Sequence, residues 1–193
     1  MKSMSRPDYL ILINKNHPID PRFVESIELV EAVGYDGEIF RAEKHAAEQF
    51  EHLQEAVKEY GIEIVLSSAY RSVGRQARIK AELAEEYGPE YVRKFVAEPG
   101  TSEHHTGLAL DFVAKLCGKW VIETTEINRR IDEMRPVYNL LPKYGFILRY
   151  LPGKEEITGY PAEPWHIRYV GNPEAAAEIA ARGITLEEYL GDA

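Results

Sequence analysis

The chain has a single cysteine, Cys117, among its 193 residues. No internal disulfide and no thiolate metal site can be built from it. It also lacks an apolar run long enough for a membrane-spanning helix. Lys and Arg number 23 against 32 Asp and Glu, for a formal net charge of -9. With no basic run to meet phosphates, nucleic acid is a poor partner. Repeats, linkers and low-complexity tracts are missing as well, and the length suits one domain, 1–193, with its own core. The first residues, Met1 to Pro7, do not contain the apolar segment of a secretion signal.

What is present is a pair of segments rich in ligand chemistry: Ser102-Glu103-His104-His105-Thr106-Gly107-Leu108-Ala109-Leu110-Asp111, and far downstream Glu163-Pro164-Trp165-His166. Leu108 to Val113 reads as a buried strand in which Asp111 is the one charge. A buried carboxylate has to be paired, neutralised or bound to a metal. Trp165 to Val170 alternates as a second strand, with Glu163 and His166 near one end on a turn opened by Pro164. His104, Asp111 and His166 would supply two nitrogens and an oxygen to zinc and leave a fourth position open, the catalytic arrangement. Glu163 then stands beside a ligand without needing to be one, placed to take a proton from attacking water. Gly107 is expected to let the His104 loop approach the strand closely. His105 offers the same chemistry as His104, and a surface position is its expected fate. A lone histidine is more often structural than ligating, and a lone buried Asp more often pairs with Arg or backbone. Three ligand types and a Glu in this order are harder to obtain by chance.

Around these segments helices and strands mix without the regular alternation of a doubly wound fold. Phe50, Leu53, Val57 and Tyr60 recur at helical spacing in 42–60, with Gly61 ending that helix ahead of a strand at 62–66. A second helix follows Ser72 and is interrupted near Gly88-Pro89. A third covers about 125–141, kinked or split by Pro136. Strands are expected at 146–150 and 167–170, and an alanine-rich helix at 173–181. Tyr87, Tyr91 and Phe95 read as core residues. The pattern predicts an α+β domain whose mainly antiparallel sheet bears the zinc, with helices packed around it.

Ser102-x-His104-x-x-Gly107-x-Ala109-x-Asp111 followed by Glu163-x-Trp165-His166 resembles the signature of the zinc D-alanyl-D-alanine peptidases of the VanX, VanY and VanXY type. That family shares its metal-site fold with lysostaphin-like peptidases and the hedgehog domain. The similarity runs from Ile11 through Ser68-Ala69-Tyr70-Arg71-Ser72 and Tyr144 to Tyr150 as far as Gly171, and favours the VanY and VanXY branches. It implies one Zn2+ held by His104, Asp111 and His166, Glu163 as general base and later proton donor, and Arg71 stabilising the oxyanion. Arg71 follows the 62–66 strand, and a guanidinium stays charged at working pH; the bland alternative is a surface ion pair. Ser102 and Gln76 match positions that hydrogen-bond substrate, Tyr70 neighbours Arg71, and Trp165 is an apolar wall or a packing residue. Ser102 as a cap and Gln76 as a helix-surface residue are the local alternatives.

The implied reaction removes C-terminal D-alanine from peptidoglycan stem peptides or their precursors, by D,D-cleavage of a pentapeptide or L,D-cleavage of a tetrapeptide, with a possible link to glycopeptide resistance. Family members that also cleave the free dipeptide tend to carry an acid where this chain has Ser68, so its neutrality points to carboxypeptidase over dipeptidase activity. The rivals are a bifunctional dipeptidase and carboxypeptidase, a cross-link endopeptidase, and a non-catalytic zinc-bearing binding domain. The last would not need Glu163 or Arg71. The N-terminus suggests a cytoplasmic enzyme trimming precursors before export; the alternative is an exported protein whose anchor is not part of this sequence.

Overall fold

The computed structural model describes residues 8–193. Met1 to Pro7, read above for their lack of an apolar leader, lie outside the described residues. Elements in chain order are α1 (Pro21–Ser26), β1 (Leu29–Val33), β2 (Ile39–Glu43), α2 (Lys44–Val57), β3 (Ile62–Ser68), α3 (Val73–Tyr87), α4 (Pro89–Phe95), β4 (Ala109–Leu116), β5 (Lys119–Val121), α5 (Thr124–Arg129), α6 (Arg135–Leu140), β6 (Phe146–Leu148), α7 (Glu155–Thr158), β7 (His166–Tyr169), α8 (Pro173–Arg182) and α9 (Leu186–Leu190). The expected α+β class with an antiparallel sheet is what the chain forms. Among the described residues no helix is long and apolar enough to cross a membrane.

The main sheet runs β3-β4-β7-β6, with β5 also on β4, and every pairing is antiparallel. β4 is its centre because it is apolar on both faces; only Asp111 and Lys115 escape full burial. The β4–β5 turn places Cys117 and Gly118 at φ of 51° and 77°, the double positive φ of a type I′ hairpin turn. In register, Asp111 stands opposite His166 on β7 and Ser68 on β3. β3 shifts register between Leu66 and Ser68, a bulge beside Asp111 of the kind that re-aims side chains near sites.

Helix α2 covers one side of the sheet with Ala46, Ala47, Phe50, Leu53 and Val57. Glu43 caps it, its Oε2 accepting from the Ala46 N–H at 3.0 Å. Tyr60, expected on the buried face, is 57% exposed, because the helix tightens into a 3-10 turn at Lys58–Tyr60 and Gly61 ends it at φ 71°. The helix expected over about 125–141 is two: Pro136 sits in the first turn of α6, where its missing N–H costs nothing, so it opens a helix rather than bending one.

Two further expectations fail on the chain between Ala69 and Leu108. Tyr87, Tyr91 and Phe95 are not core; they are 55%, 37% and 40% exposed. No residue of α3 or α4 joins either buried cluster, and Val92 is the only apolar side chain of the pair that is buried. Gly107, at φ 69°, does make a close approach, but to the end of β2 rather than to β4. A Cβ there would lie 2.9 Å from Glu43 N, whose N–H donates to Gly107 O at 2.9 Å.

Candidate active site

Three chain segments converge at the β3, β4 and β7 ends. His104 comes from a 3-10 turn at Glu103–Thr106 that Ser102 caps, Asp111 from β4, and His166 from the first position of β7. Asp111 Oδ2 lies 3.3 Å from His104 Nε2, and Asp111 Oδ1 lies 3.0 Å from His166 Nδ1. The three donor atoms lie within 4.8 Å of one another. The His104 Nδ1–H donates to Ala69 O at 2.7 Å, which leaves Nε2 as a lone pair facing the cluster. The His166 Nε2–H faces Glu103 Oε2 at 3.4 Å, which turns the Nδ1 lone pair the same way. Asp111 Oδ1 is buried and accepts no hydrogen bond. Two imidazole lone pairs and an orphaned carboxylate oxygen aimed at one point fit a cation, and a two-nitrogen, one-oxygen set suits zinc.

Glu103 is the residue that sequence reasoning missed. Its Oε1 accepts from Arg149 Nε and Arg168 Nη1, both at 2.7 Å, which leaves Oε2 for His166. Arg149 also grips Glu187 of α9 with two hydrogen bonds, at 2.9 and 2.6 Å, and Arg168 donates to the carbonyls of Tyr9 and Ile11. All four charged side chains are at most 2% exposed. Burial opposes the charge on Glu103, but the two guanidiniums outweigh it and hold the carboxyl well below its usual range. Such carboxylate support of a ligating histidine fixes its tautomer and ring orientation. A signal existed in the sequence: Arg149 and Arg168 each follow apolar strand residues, and a buried arginine requires a buried acid.

Glu163 occupies the turn before β7, its carboxylate 3.6 Å from His166 Nδ1. Burial pushes its pKa up to about 7, with neighbouring Asp111 adding to the effect. Arg71 lines the same cleft. Burial draws its pKa down, though a guanidinium begins so high that it stays charged, and its Nε–H is buried without a partner. Gln76, expected from the resemblance at the substrate, engages protein with both ends of its amide. Its Oε1 accepts from Arg71 Nη1 at 3.1 Å, and its Nε2 donates to Ala97 O at 2.9 Å. It therefore sets the angle of Arg71, and it is buried rather than on the helix surface. Ser102 lines the cleft and also caps the turn, its Oγ accepting from His104 N at 3.3 Å. Trp165 lines the cleft and packs on the core at once. Tyr150, unassigned from sequence, packs against His166 with ring centroids 4.9 Å apart and planes tilted by 46°.

Three residues fall elsewhere. Ser68 and Tyr70 line a neighbouring depression with Arg41 and Arg75, not the cleft of the donor cluster. His105, expected at the surface, is 1% exposed. Its Nδ1–H donates to Arg71 O at 2.7 Å and its Nε2 accepts from Gly100 N at 3.0 Å, so it ties the Arg71 backbone to the metal loop.

Comparison with known proteins agrees with this geometry. Residues 40–172 match the family model VanY, D-alanyl-D-alanine carboxypeptidase. The bifunctional D-Ala-D-Ala dipeptidase and carboxypeptidase VanXYC of Enterococcus gallinarum is 38% identical over 189 residues, covering 93% of this chain and 92% of that protein. Among solved structures, the D,D-pentapeptidase VanY of a VanB-type resistance cassette, a mutant in complex with Zn(II), superposes with a TM-score of 0.74 at 34% identity, over 94% of this chain and 98% of that one. The LD-carboxypeptidase LdcB gives 0.79 at 33% identity, over 97% and 87%. The chain therefore belongs to the VanY family of zinc-dependent D-alanyl-D-alanine carboxypeptidases.

Proposed function

We propose that this enzyme cleaves the terminal D-alanine from peptidoglycan stem peptides with Glu163 as the proton carrier and Arg71 as the oxyanion donor. The observation that carries these roles is that Glu163, beside His166, and the buried, unpartnered Arg71 Nε–H line the same cleft. His104, Asp111 and His166 would hold the zinc, which would supply Lewis-acid chemistry at the scissile carbonyl and at water. Glu163 accepts the proton of the attacking water and passes it to the departing amine nitrogen; a carboxylate whose pKa sits near 7 suits both halves. The C–N bond breaks, a C–O bond forms, and the products are free D-alanine and a stem peptide one residue shorter. Arg71 donates to the scissile carbonyl oxygen as that oxygen gains charge, a contact whose loss costs about a hundredfold to a thousandfold in turnover. The Ser102 hydroxyl keeps its hydrogen for the substrate while its oxygen serves His104.

A stem peptide is the preferred substrate over free D-Ala-D-Ala, because the cleft continues along an apolar wall that a dipeptide would leave uncovered. Similarity to a bifunctional relative favours a second reading, in which the free dipeptide is cleaved as a minor substrate. The test is mass spectrometry of products from zinc-loaded wild type and Glu163→Ala given a muramyl pentapeptide, the matching tetrapeptide, or free D-Ala-D-Ala. The expected result is loss of one D-alanine by the wild type, slowed about a thousandfold or more in the variant. Failure of the wild type to cleave any of the three, with zinc bound, would sink the proposal.

A further inference from the structure

Ile79, Leu83, Tyr87, Tyr91 and Phe95 recur at every fourth residue across α3 and α4, yet this stripe packs on neither buried cluster. Four of the five line the cleft of the metal donors; Tyr87 does not. The three aromatics form a ladder, with Tyr87 and Tyr91 centroids 4.7 Å apart at 30° and Tyr91 and Phe95 4.9 Å apart at 41°. The ladder thus starts in the cleft wall and continues one ring beyond it. Rings this exposed and this contiguous mark a surface that something covers, and none of the described residues buries them.

The substrate class indicates what covers it. With the terminal D-alanine at the donor cluster, the rest of the stem leaves the cleft, and the sugar that bears it follows about four residues upstream, roughly 14 Å if the chain is extended. An aromatic face is apolar and weakly negative, so it suits the C–H face of a pyranose, while hydroxyls at the ring edge keep their contact with water. We propose that Tyr87 and Tyr91 form a sugar subsite on which the muramyl ring carrying the stem peptide stacks. This rests on the carboxypeptidase reading above and extends it from the scissile bond to the glycan.

The test compares kcat/KM for a pentapeptide with and without its muramyl sugar, in wild type, Tyr87→Ala and Tyr87→Trp. The ratio of sugar-bearing to sugar-free substrate is expected above one in the wild type. It should fall about fivefold in Tyr87→Ala, the size of a lost ring contact, through KM, and hold in Tyr87→Trp. A wild-type ratio of one, or a ratio that Tyr87→Ala leaves unchanged, overturns the subsite. If the wild type cleaves neither substrate, the carboxypeptidase reading fails, and calorimetric binding of the muramyl peptide decides the subsite. Weaker binding by Tyr87→Ala supports it, and equal binding overturns it.

Discussion

Helices α2 and α3 have fourteen and fifteen residues, and both are amphipathic, yet they are used in opposite ways. α2 turns two alanines, Phe50, Leu53 and Val57 into the core beneath the sheet that holds the metal donors. α3 buries a single side chain, the polar Gln76, and turns Ile79 and Leu83 to the cleft. An apolar helical face states that something covers it, not what. In α2 the cover is the protein, and in α3 with α4 Ile79, Leu83, Tyr91 and Phe95 line the cleft of the metal donors instead. The α3–α4 pair is anchored by polar links instead: Gln76 to Arg71 and Ala97, and the Lys80–Glu98 ion pair.

The largest blow to the rigid side is Glu103→Gln. It weakens the grip of Arg149 and Arg168 on their shared acid and loosens His166. Stability should fall by about 3 kcal/mol in denaturant titration, and zinc affinity by about tenfold to a hundredfold in chelator competition. Unchanged zinc affinity would show that Glu103 does not orient the ligand. An equivalent change on the α3–α4 wall should leave zinc affinity untouched.

The next effect is pH dependence of zinc uptake. In the zinc-free protein burial opposes charge on His166, but the Asp111 and Glu103 carboxylates outweigh it and raise its pKa to about 9. The folded value lies above the ordinary 6.5, so this proton stabilises the zinc-free fold fully below pH 6.5, and that contribution is lost as pH rises through 9. The Nδ1 lone pair that faces the donor cluster exists only on the neutral ring, so His166 must lose this proton before it can hold zinc. Affinity should therefore climb by up to about tenfold per pH unit between pH 7 and 9 and flatten above. A flat profile over that window would remove the buried carboxylates as the cause.

The smallest expected effect on stability is that of Leu83→Ala, and it is sharpest beside a core substitution. Leu53→Ala on α2 should cost about 3 kcal/mol by opening a core cavity. Leu83→Ala on α3 should cost less than about 0.5 kcal/mol while raising KM for a stem peptide severalfold. Equal losses of stability in the two variants would erase the distinction between core face and cleft face.

Much of the site was legible because its chemistry is carried by rare combinations. Asp111 in an apolar strand, two histidines and a Glu beside the second fall together in space as their spacing implies. Gly61, the β3 strand and the late alanine-rich helix were legible for local reasons, a left-handed cap and unbroken periodicity. What misled was anything that depended on the partner across a gap. Tyr87, Tyr91 and Phe95 have the composition of core; His105 has the look of a surface residue; Pro136 inside an expected helix is a helix start.

The sequence by itself named the metal-donor set His104, Asp111 and His166 and the antiparallel frame, since burial of a lone charge and the two-residue strand period leave few alternatives. Only the tertiary structure decided which nitrogen of each histidine faces the metal, that Glu103 between two arginines supports one of them, and that an apolar stripe faces the cleft. Those are questions of which groups meet across long stretches of chain, and neither spacing nor composition encodes the meeting.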